Sequence, residues 1–264
     1  MSLETLGSDA WLAAVKSSHE KLAQNVAPLT DAQVAGPSYD TDWSIAQVLS
    51  HLGSGAEIFT LLLQAGLAGE PAPGIEAFKP VWDRWNAKTP HEQAHDGLRS
   101  DAAFLEQVEV LSEDQRRAWS LQFFGGDQAL NDLLRLRLSE HALHTWDVAV
   151  MGDANATLAP DAVGLLIDTI DQLVSRTAKP PTNPLALHVT TDNPTRRFVL
   201  NTTGEKAELQ AVDPAGSTAR EPFLRLPAEA LIRLVYGRLD PEHTPPLEAT
   251  GIDLEVLRQV FPGV

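Results

Sequence analysis

The sequence predicts a mainly α-helical domain followed by a small α+β domain. Apolar residues recur at helical spacing through about the first 180 residues, and beyond them apolar and polar residues alternate as they do in β-strands. Between the two regions, residues 179–184 contain three prolines. Because proline lacks a backbone N–H, it cannot lie inside a helix or a central strand. We therefore expect a helical domain over residues 1–180 and an α+β domain over residues 185–264.

The first two helices are predicted from apolar stripes at a spacing of three and four. The first covers about residues 8–26, and a polar loop follows it. The second begins near Ser44, where Asp42 or Ser44 can serve as the N-cap, and its stripe continues to Leu63.

Three further helices complete the first domain. The third covers about residues 77–111, with an interruption at Thr89-Pro90, because the residue before a proline disfavours the helical conformation. The fourth follows a Gly-Gly-Asp turn at residues 125–127 and continues to about Val150. The fifth runs from Pro160 to about Ala178, since proline suits the first position of a helix.

The second domain is predicted from alternation and turn residues. Residues 192–194, Asp-Asn-Pro, form a turn between two of its strands. The three strands are expected at residues 185–190, 197–200 and 207–212, and two helices at residues 228–238 and 254–261.

Composition excludes several classes of function. The net charge of −16 argues against partners such as nucleic acid or an anionic membrane surface, which require clustered Lys and Arg. The chain has no cysteine, so disulfides, thiolate zinc sites and a cysteine nucleophile are excluded, and any reacting thiol must come from outside. Residues 1–10 lack the features of a signal peptide, and no apolar run is long enough to span a bilayer. We expect a soluble cytoplasmic protein.

Glu140 and His144 are the most informative pair in the sequence. On a helix, a spacing of four places both side chains on one face, where a carboxylate and an imidazole can bind one divalent metal ion. His51, near the start of the second helix, is the expected third ligand. Asp147, three residues after His144, is positioned to orient a ligand imidazole without binding the metal itself.

Nearby residues leave other interpretations open. His141 is rotated about 100° from Glu140 and is expected to be solvated or peripheral, although an exchange of roles with His144 stays open. Gly55, one turn after His51, leaves room for a group larger than a side chain. Trp43 and Trp146 can wall the site or simply pack in the core. The remaining histidines are expected at the surface: His19, His91, His95, His188 and His243.

Two segments resemble a known family. Residues 41–52, TDWSIAQVLSHL, contain Trp-Ser followed by His-Leu, and residues 137–148, RLSEHALHTWDV, contain Arg-x-x-Glu-x-x-x-His-x-Trp-Asp. Both are similar to the mycothiol-dependent maleylpyruvate isomerase family, which belongs to the DinB-like metal-binding four-helix bundles. The resemblance extends over essentially the whole chain, because the order of the motifs and the small C-terminal domain also agree.

The resemblance implies a fold and a metal site. The helical domain would be an up-down-down-up bundle, and a metal, usually zinc, would be bound by His51, Glu140 and His144. In this family the C-terminal domain covers the metal pocket and contributes to binding mycothiol or substrate. Gly237-Arg238 resembles a Gly-Arg motif of that domain, which makes Arg238 a candidate for cofactor binding. A cation at a helix C-terminus is the simpler interpretation of Arg238.

We expect a metal-dependent thiol enzyme that uses mycothiol as cofactor or co-substrate and acts on a small-molecule substrate. The reaction would be a cis–trans isomerisation or an S-transfer. A dicarboxylate such as maleylpyruvate needs cationic groups, and Arg137 and Arg238 are the candidates near the motifs. Two alternatives remain: a metal-dependent hydrolase of DinB type, and a non-catalytic module that binds a small molecule. The protein is expected to be a monomer or a small homo-oligomer, and the metal can be zinc or another divalent ion.

Overall fold

The computed structural model describes residues 7–40, 42–123, 125–203, 206–212 and 222–263. Within the N-terminal segment considered above for targeting, residues 1–6 lie outside these ranges. The chain divides into two units, Met1–Ala156 and Thr157–Val264. None of the described helices is long and apolar enough to cross a membrane.

Four long helices form the first unit. Helices α3 and α5 each begin with a capping box, on Ser44 and Thr89 respectively, in which the hydroxyl accepts a backbone N–H and a Gln or Glu side chain accepts from the cap residue. Around the bundle the order is α1, α5, α3, α7, and each helix packs against its two neighbours. The four helices are α1 (Ser8–Val26), α3 (Ile45–Ala68), α5 (Pro90–Glu109) and α7 (Leu130–Ala149).

Helices α3 and α5 run parallel. Near the middle of the two helices, Ser100 Oγ of α5 donates to Gly53 O of α3 at 2.9 Å. Near their C-terminal ends, Gln64 Nε2 of α3 donates to Gln107 Oε1 of α5 at 2.9 Å. A Cβ on Gly53 would lie 2.7 Å from the Cα of Gly97, so the two glycines allow the helices to approach closely.

Helix α1 is antiparallel to α5 and parallel to α7. Lys16 pairs with Glu109, and His19 pairs with Asp101. The later residue of α1 therefore contacts the earlier residue of α5, as it does when two helices run in opposite directions. The first residues of α1 and α7 line one cavity, and the last residues of both line another. The expected up-down-down-up arrangement is therefore confirmed.

Short elements connect the long helices, and most of them were not predicted. The interruption at Thr89-Pro90 is confirmed, since it separates α4 from α5. Helix α7 begins at Leu130, because residues that were expected to open it form a hairpin with Ser120 paired to Ala129. The short elements are α2 (Asp31–Val34), α4 (Ile75–Asn86), α6 (Glu113–Ala118), β1 (Ser120–Phe123) and β2 (Gly126–Ala129).

The second unit is a sheet with helices. Its strand order is β5-β4-β3-β6-β7; β3 and β6 are parallel and the other neighbours are antiparallel. The three predicted strands correspond to β3, β4 and β5, whereas β6 and β7 were not predicted. The strands are β3 (Leu185–Asp192), β4 (Arg196–Thr203), β5 (Lys206–Ala211), β6 (Phe223–Pro227) and β7 (Glu248–Thr250).

The helices of this unit explain where the chain divides. The predicted fifth helix is two helices, α8 (Pro160–Leu166) and α9 (Ile170–Thr177), and they pack against α10 (Ala228–Val235) and β5. They therefore belong with the sheet, and the division falls at residues 156–157 rather than at residues 180–185. The last helix, α11 (Leu254–Val260), lies where the sequence predicts it.

Candidate metal centre

Three side chains from two helices converge in the first unit. His51 Nε2 lies 2.9 Å from Glu140 Oε2, and His144 Nε2 lies 3.9 Å from the same oxygen. One ligand atom from each residue lies within 4.8 Å of those of the other two. The structure thus brings together the three residues that the sequence predicts as ligands, although their binding of a metal stays a prediction.

Helix geometry places these side chains. Glu140 and His144 are one turn apart on α7, so they share a face. His51 lies in the second turn of α3, whose start is fixed by the Ser44 capping box. Two imidazole nitrogens and one carboxylate oxygen are the protein ligands of many catalytic zinc sites, which keep a further position for water or substrate. The donor set therefore fits a divalent metal.

Charge in the cluster favours ionised Glu140. Burial raises the pKa of this carboxyl group, but the hydrogen bond from His51 and the charges of His51, His144 and Arg137 outweigh burial and lower the pKa to about 2. Glu140 is therefore a carboxylate at neutral pH, which is the form that binds metals.

Asp147 fixes the ring of His144. Its Oδ2 lies 2.8 Å from His144 Nδ1, and Asp147 is fully buried. Because an ionised carboxylate can only accept, Nδ1 carries a hydrogen, and the other ring nitrogen, Nε2, faces Glu140 and His51. This contact supports the orienting role predicted for Asp147.

A cavity of about 310 Å³ opens beside His51. Trp43 covers two of the candidate ligands: its ring centroid lies 5.0 Å from that of His51 and 6.0 Å from that of His144. Trp146 instead packs against Tyr39 and donates Nε1 to Ala156 O, which is a core role. Trp43, Gln47, Ser50, His51, Ser54, Trp82 and Asn86 line the cavity.

The expectation for His141 was wrong. It is fully buried, and its Nε2 lies 2.8 Å from Asp101 Oδ2. His19, which was expected at the surface, is half-buried and bonds to the same oxygen at 2.7 Å. Arg137 Nη2 bonds to Asp101 Oδ1 at 2.5 Å. An exchange of roles between His141 and His144 is not observed, because His141 lies on the other face of α7 and bonds to α5.

Sequence reasoning missed this second cluster. His19, Asp101 and His141 also have ligand atoms within 4.8 Å of one another. However, the Arg137 guanidinium already balances the Asp101 charge, so hydrogen bonding accounts for the arrangement without a metal. Polar residues at positions 137, 141 and 145, spaced by four, were the signal that could have revealed an inward polar face.

The contacts within the cluster of His19, Asp101 and His141 shift the pKa values of Asp101 and His141. Burial raises the pKa of the Asp101 carboxyl, but the charges of His141 and Arg137, with the hydrogen bonds from His141 and His19, hold that pKa well below its usual range. Burial lowers the pKa of His141, against the raising effect of Asp101. Asp101 is therefore ionised at neutral pH.

The structure revises the expectation for Gly55 and shows where Arg238 lies. A Cβ on Gly55 would lie 3.1 Å from Arg137 Nη1, so the room beside Gly55 is taken by the arginine and not by a ligand. Arg238 lies three residues beyond the end of α10, in the second unit, and its Nη1 donates to Tyr236 O at 3.1 Å. Its role in cofactor binding stays a prediction.

Comparison with known families settles the relationship suggested by the motifs. The sequence profile named mycothiol maleylpyruvate isomerase N-terminal domain matches residues 15–149, which is more than half of the 264 residues. The chain belongs to this family. The matched range contains the three candidate metal ligands, His51, Glu140 and His144. No curated protein sequence matches the chain.

Solved structures show the same fold. A histidine-to-alanine mutant of the mycothiol-dependent maleylpyruvate isomerase superposes with a TM-score of 0.66 at 15% sequence identity, covering 90% of this chain and 92% of the other. The unmutated isomerase gives a TM-score of 0.65 at 14% identity, with the same coverage. The predicted fold class, a four-helix bundle followed by a small α+β domain, is confirmed.

Proposed function

We propose that this protein is a metal-dependent thiol enzyme that uses mycothiol as cofactor or co-substrate. The observation that carries the proposal is the cluster of His51, Glu140 and His144, with Asp147 holding the ring of His144. Membership in the family supports mycothiol as the thiol. The lack of cysteine in the chain is consistent with a thiol supplied from outside.

His51, Glu140 and His144 would hold the ion, and zinc is one of the divalent metals that this donor set suits. A divalent metal bound there lowers the pKa of a coordinated thiol, which provides a nucleophile at neutral pH. Trp43 shields the two imidazoles from one side, and the cavity beside His51 offers space for the thiol and the substrate.

The thiol chemistry has two outcomes. In an isomerisation, the sulfur adds to a conjugated C=C bond, the resulting single bond rotates, and the thiol leaves as the double bond forms again, so no thiol is consumed. In an S-transfer, the sulfur displaces a leaving group from the electrophile and stays on the product, the leaving group and the thiol proton are released, and one thiol is consumed for each substrate molecule.

The cavity favours an uncharged substrate over a dicarboxylate. Among the described residues, its lining consists of indole, amide and hydroxyl groups together with His51. Arg137, which was a candidate for binding a carboxylate substrate, is buried and bonds to Asp101. S-transfer to an uncharged electrophile is therefore the second candidate, beside isomerisation of maleylpyruvate. The cytoplasmic location and the monomeric or small homo-oligomeric state stay predictions.

The test measures turnover of metal-loaded protein with maleylpyruvate and with 1-chloro-2,4-dinitrobenzene, an uncharged electrophile, each with and without mycothiol. Turnover that requires both metal and mycothiol would support the proposal, and thiol consumption would separate transfer from isomerisation. His51→Ala should abolish turnover, whereas His95→Ala, a change of an exposed histidine on α5, should not. Hydrolysis without thiol would favour the DinB-type hydrolase, and binding without turnover would favour a binding module.

A further inference from the structure

We propose that a buried polar network centred on Asp101 positions the metal ligands, so that its residues set the affinity and geometry of a centre that they do not touch. The inference rests on the metal centre of the proposed function. The network joins α1, α5 and α7 and consists of Ser18, His19, Asp101, Arg137, His141 and Thr145.

Asp101 is the centre of the network. Its Oδ1 accepts from Arg137 Nη2 at 2.5 Å, and its Oδ2 accepts from His19 Nδ1 at 2.7 Å and from His141 Nε2 at 2.8 Å. Asp101, Arg137 and His141 are each at most 1% exposed. Charge-assisted hydrogen bonds in a buried site are strong and directional, so the carboxylate fixes three donors from two other helices.

His141 is held from both sides. Its Nε2 bonds to Asp101, and its Nδ1 lies 2.9 Å from Ser18 Oγ and 3.2 Å from Thr145 Oγ1. Ser18 belongs to α1 and Asp101 to α5. The ring of His141 therefore fixes the rotation of α7 about its own axis against two neighbouring helices.

The same rotation aims the metal ligands. His141 directly follows Glu140, and the two side chains lie about 100° apart around α7. Arg137, His141 and Thr145 share one face, and Glu140 and His144 share the adjacent one. Since a helix turns as a unit, a rotation that breaks the bonds of His141 also moves Glu140 and His144 relative to His51.

Arg137 extends the network to the third ligand. Its Nη2 also donates to Leu52 O at 2.9 Å, and Leu52 is the residue after His51 on α3. Gly55 on the same helix leaves the space that Arg137 occupies. One guanidinium group thus ties the backbone beside His51 to α7, which carries the other two ligands.

The test is the zinc affinity of Asp101→Asn, measured by competition with a chromophoric chelator, together with the visible spectrum of the Co²⁺-substituted protein. Asparagine keeps the size of the side chain and removes its charge. We expect zinc binding about 10- to 100-fold weaker than wild type, the range seen when residues that orient metal ligands are changed. The cobalt bands should shift, because they report ligand geometry and not folding stability.

Glu229→Gln is the matched control. It removes another buried carboxylate that pairs with an arginine, Arg233, at 2.7 Å in the second unit. This variant should lose stability and keep wild-type zinc affinity and cobalt bands. Should Asp101→Asn fail to fold, Ser18→Ala retains every charge and should weaken zinc binding in the same direction by a smaller factor.

Three results would overturn the inference. Wild-type affinity and unchanged cobalt bands in folded Asp101→Asn would show that the network only stabilises the fold. Two zinc equivalents in the wild type, one of them lost in Asp101→Asn, would show that the network is itself a cation site. Wild-type protein that takes up no metal would instead remove the metal centre, and with it the proposed function.

Discussion

His144 Nδ1 lies 2.8 Å from Asp147 Oδ2. His144 is a candidate metal ligand, and Asp147 is a fully buried carboxylate about one turn further along α7. The contact determines which ring nitrogen of His144 carries its hydrogen and directs the other nitrogen toward Glu140 and His51. It also connects the candidate centre to the interior of the bundle, where water cannot take over the role of the carboxylate.

Asp147→Asn should weaken zinc binding about 10- to 100-fold, because the neutral amide is a poorer acceptor and holds the imidazole less firmly. Chelator competition measures the affinity, and circular dichroism checks the fold. Glu106→Gln, which removes an exposed carboxylate from α5, should bind zinc like the wild type. Equal affinity in the two variants would show that Asp147 does not orient a ligand.

Asp101 and Arg137 should be strongly coupled in stability. Asp101→Asn alone or Arg137→Met alone leaves one buried charge without its partner, which costs about 3–5 kcal/mol in other proteins. The double variant leaves neither charge, so its loss in the free energy of unfolding should be clearly smaller than the sum of the single losses. Urea denaturation measures all four proteins. Additive losses would contradict a direct ion pair.

The stability of the protein should fall with acid in part through Asp101. Its pKa in the folded protein lies well below its usual range, since His141 and Arg137 outweigh burial, whereas the unfolded chain has a pKa of about 3.9. The unfolded state thus binds the proton first. The stabilisation is complete above the unfolded pKa and is lost as the pH falls toward the folded pKa.

Asp101→Asn should therefore show a shallower fall in the free energy of unfolding below about pH 5 than the wild type. Unfolding curves in urea at a series of pH values measure the slope, with Glu106→Gln as the control for losing one carboxylate. A slope equal to that of the wild type would mean that Asp101 is not ionised in the folded protein at low pH.

Gly97→Ala should destabilise the first unit by about 1–3 kcal/mol, the usual cost of overpacking. Its Cβ would lie 2.5 Å from Leu49 O, a backbone atom that can move only if α3 and α5 separate. Gly164→Ala is the control: beyond the adjacent residues and the backbone of its own helix, no described atom lies within 4 Å of its Cβ, so alanine should raise stability by about 0.5–1 kcal/mol. Thermal unfolding measures both, and a neutral Gly97→Ala would contradict the close helix contact.

The long helices could be predicted from the sequence because their information is local. Ser44 and Thr89 cap α3 and α5 within three residues of their own positions, and apolar spacing continues from there. The hairpin of β1 and β2 could not be predicted in this way. Each strand has only four residues. The first alternates polar and apolar residues, but four residues are too few to predict a strand, and the second, Gly-Asp-Gln-Ala, has no apolar residue larger than alanine.

In the candidate site, too, local features could be predicted from the sequence and long-range contacts could not. The spacing of Glu140 and His144 places them together on any helix, and His51 was expected as their partner from its place near the start of another helix, as the family resemblance also implied. The environment of His141 could not be read locally, because its partners Ser18 and Asp101 lie 123 and 40 positions away. The middle of α7 is polar and yet buried on nearly every side, so apolar spacing does not identify which face points inward.

Metal content of the purified protein tests the central claim most directly. Mass spectrometry of the wild type should find about one equivalent of a divalent metal, retained in His95→Ala and lost in His51→Ala and in Glu140→Ala while both keep their fold. Wild-type protein that contains no metal and does not take up added zinc would contradict the metal centre and leave a module that binds a small molecule.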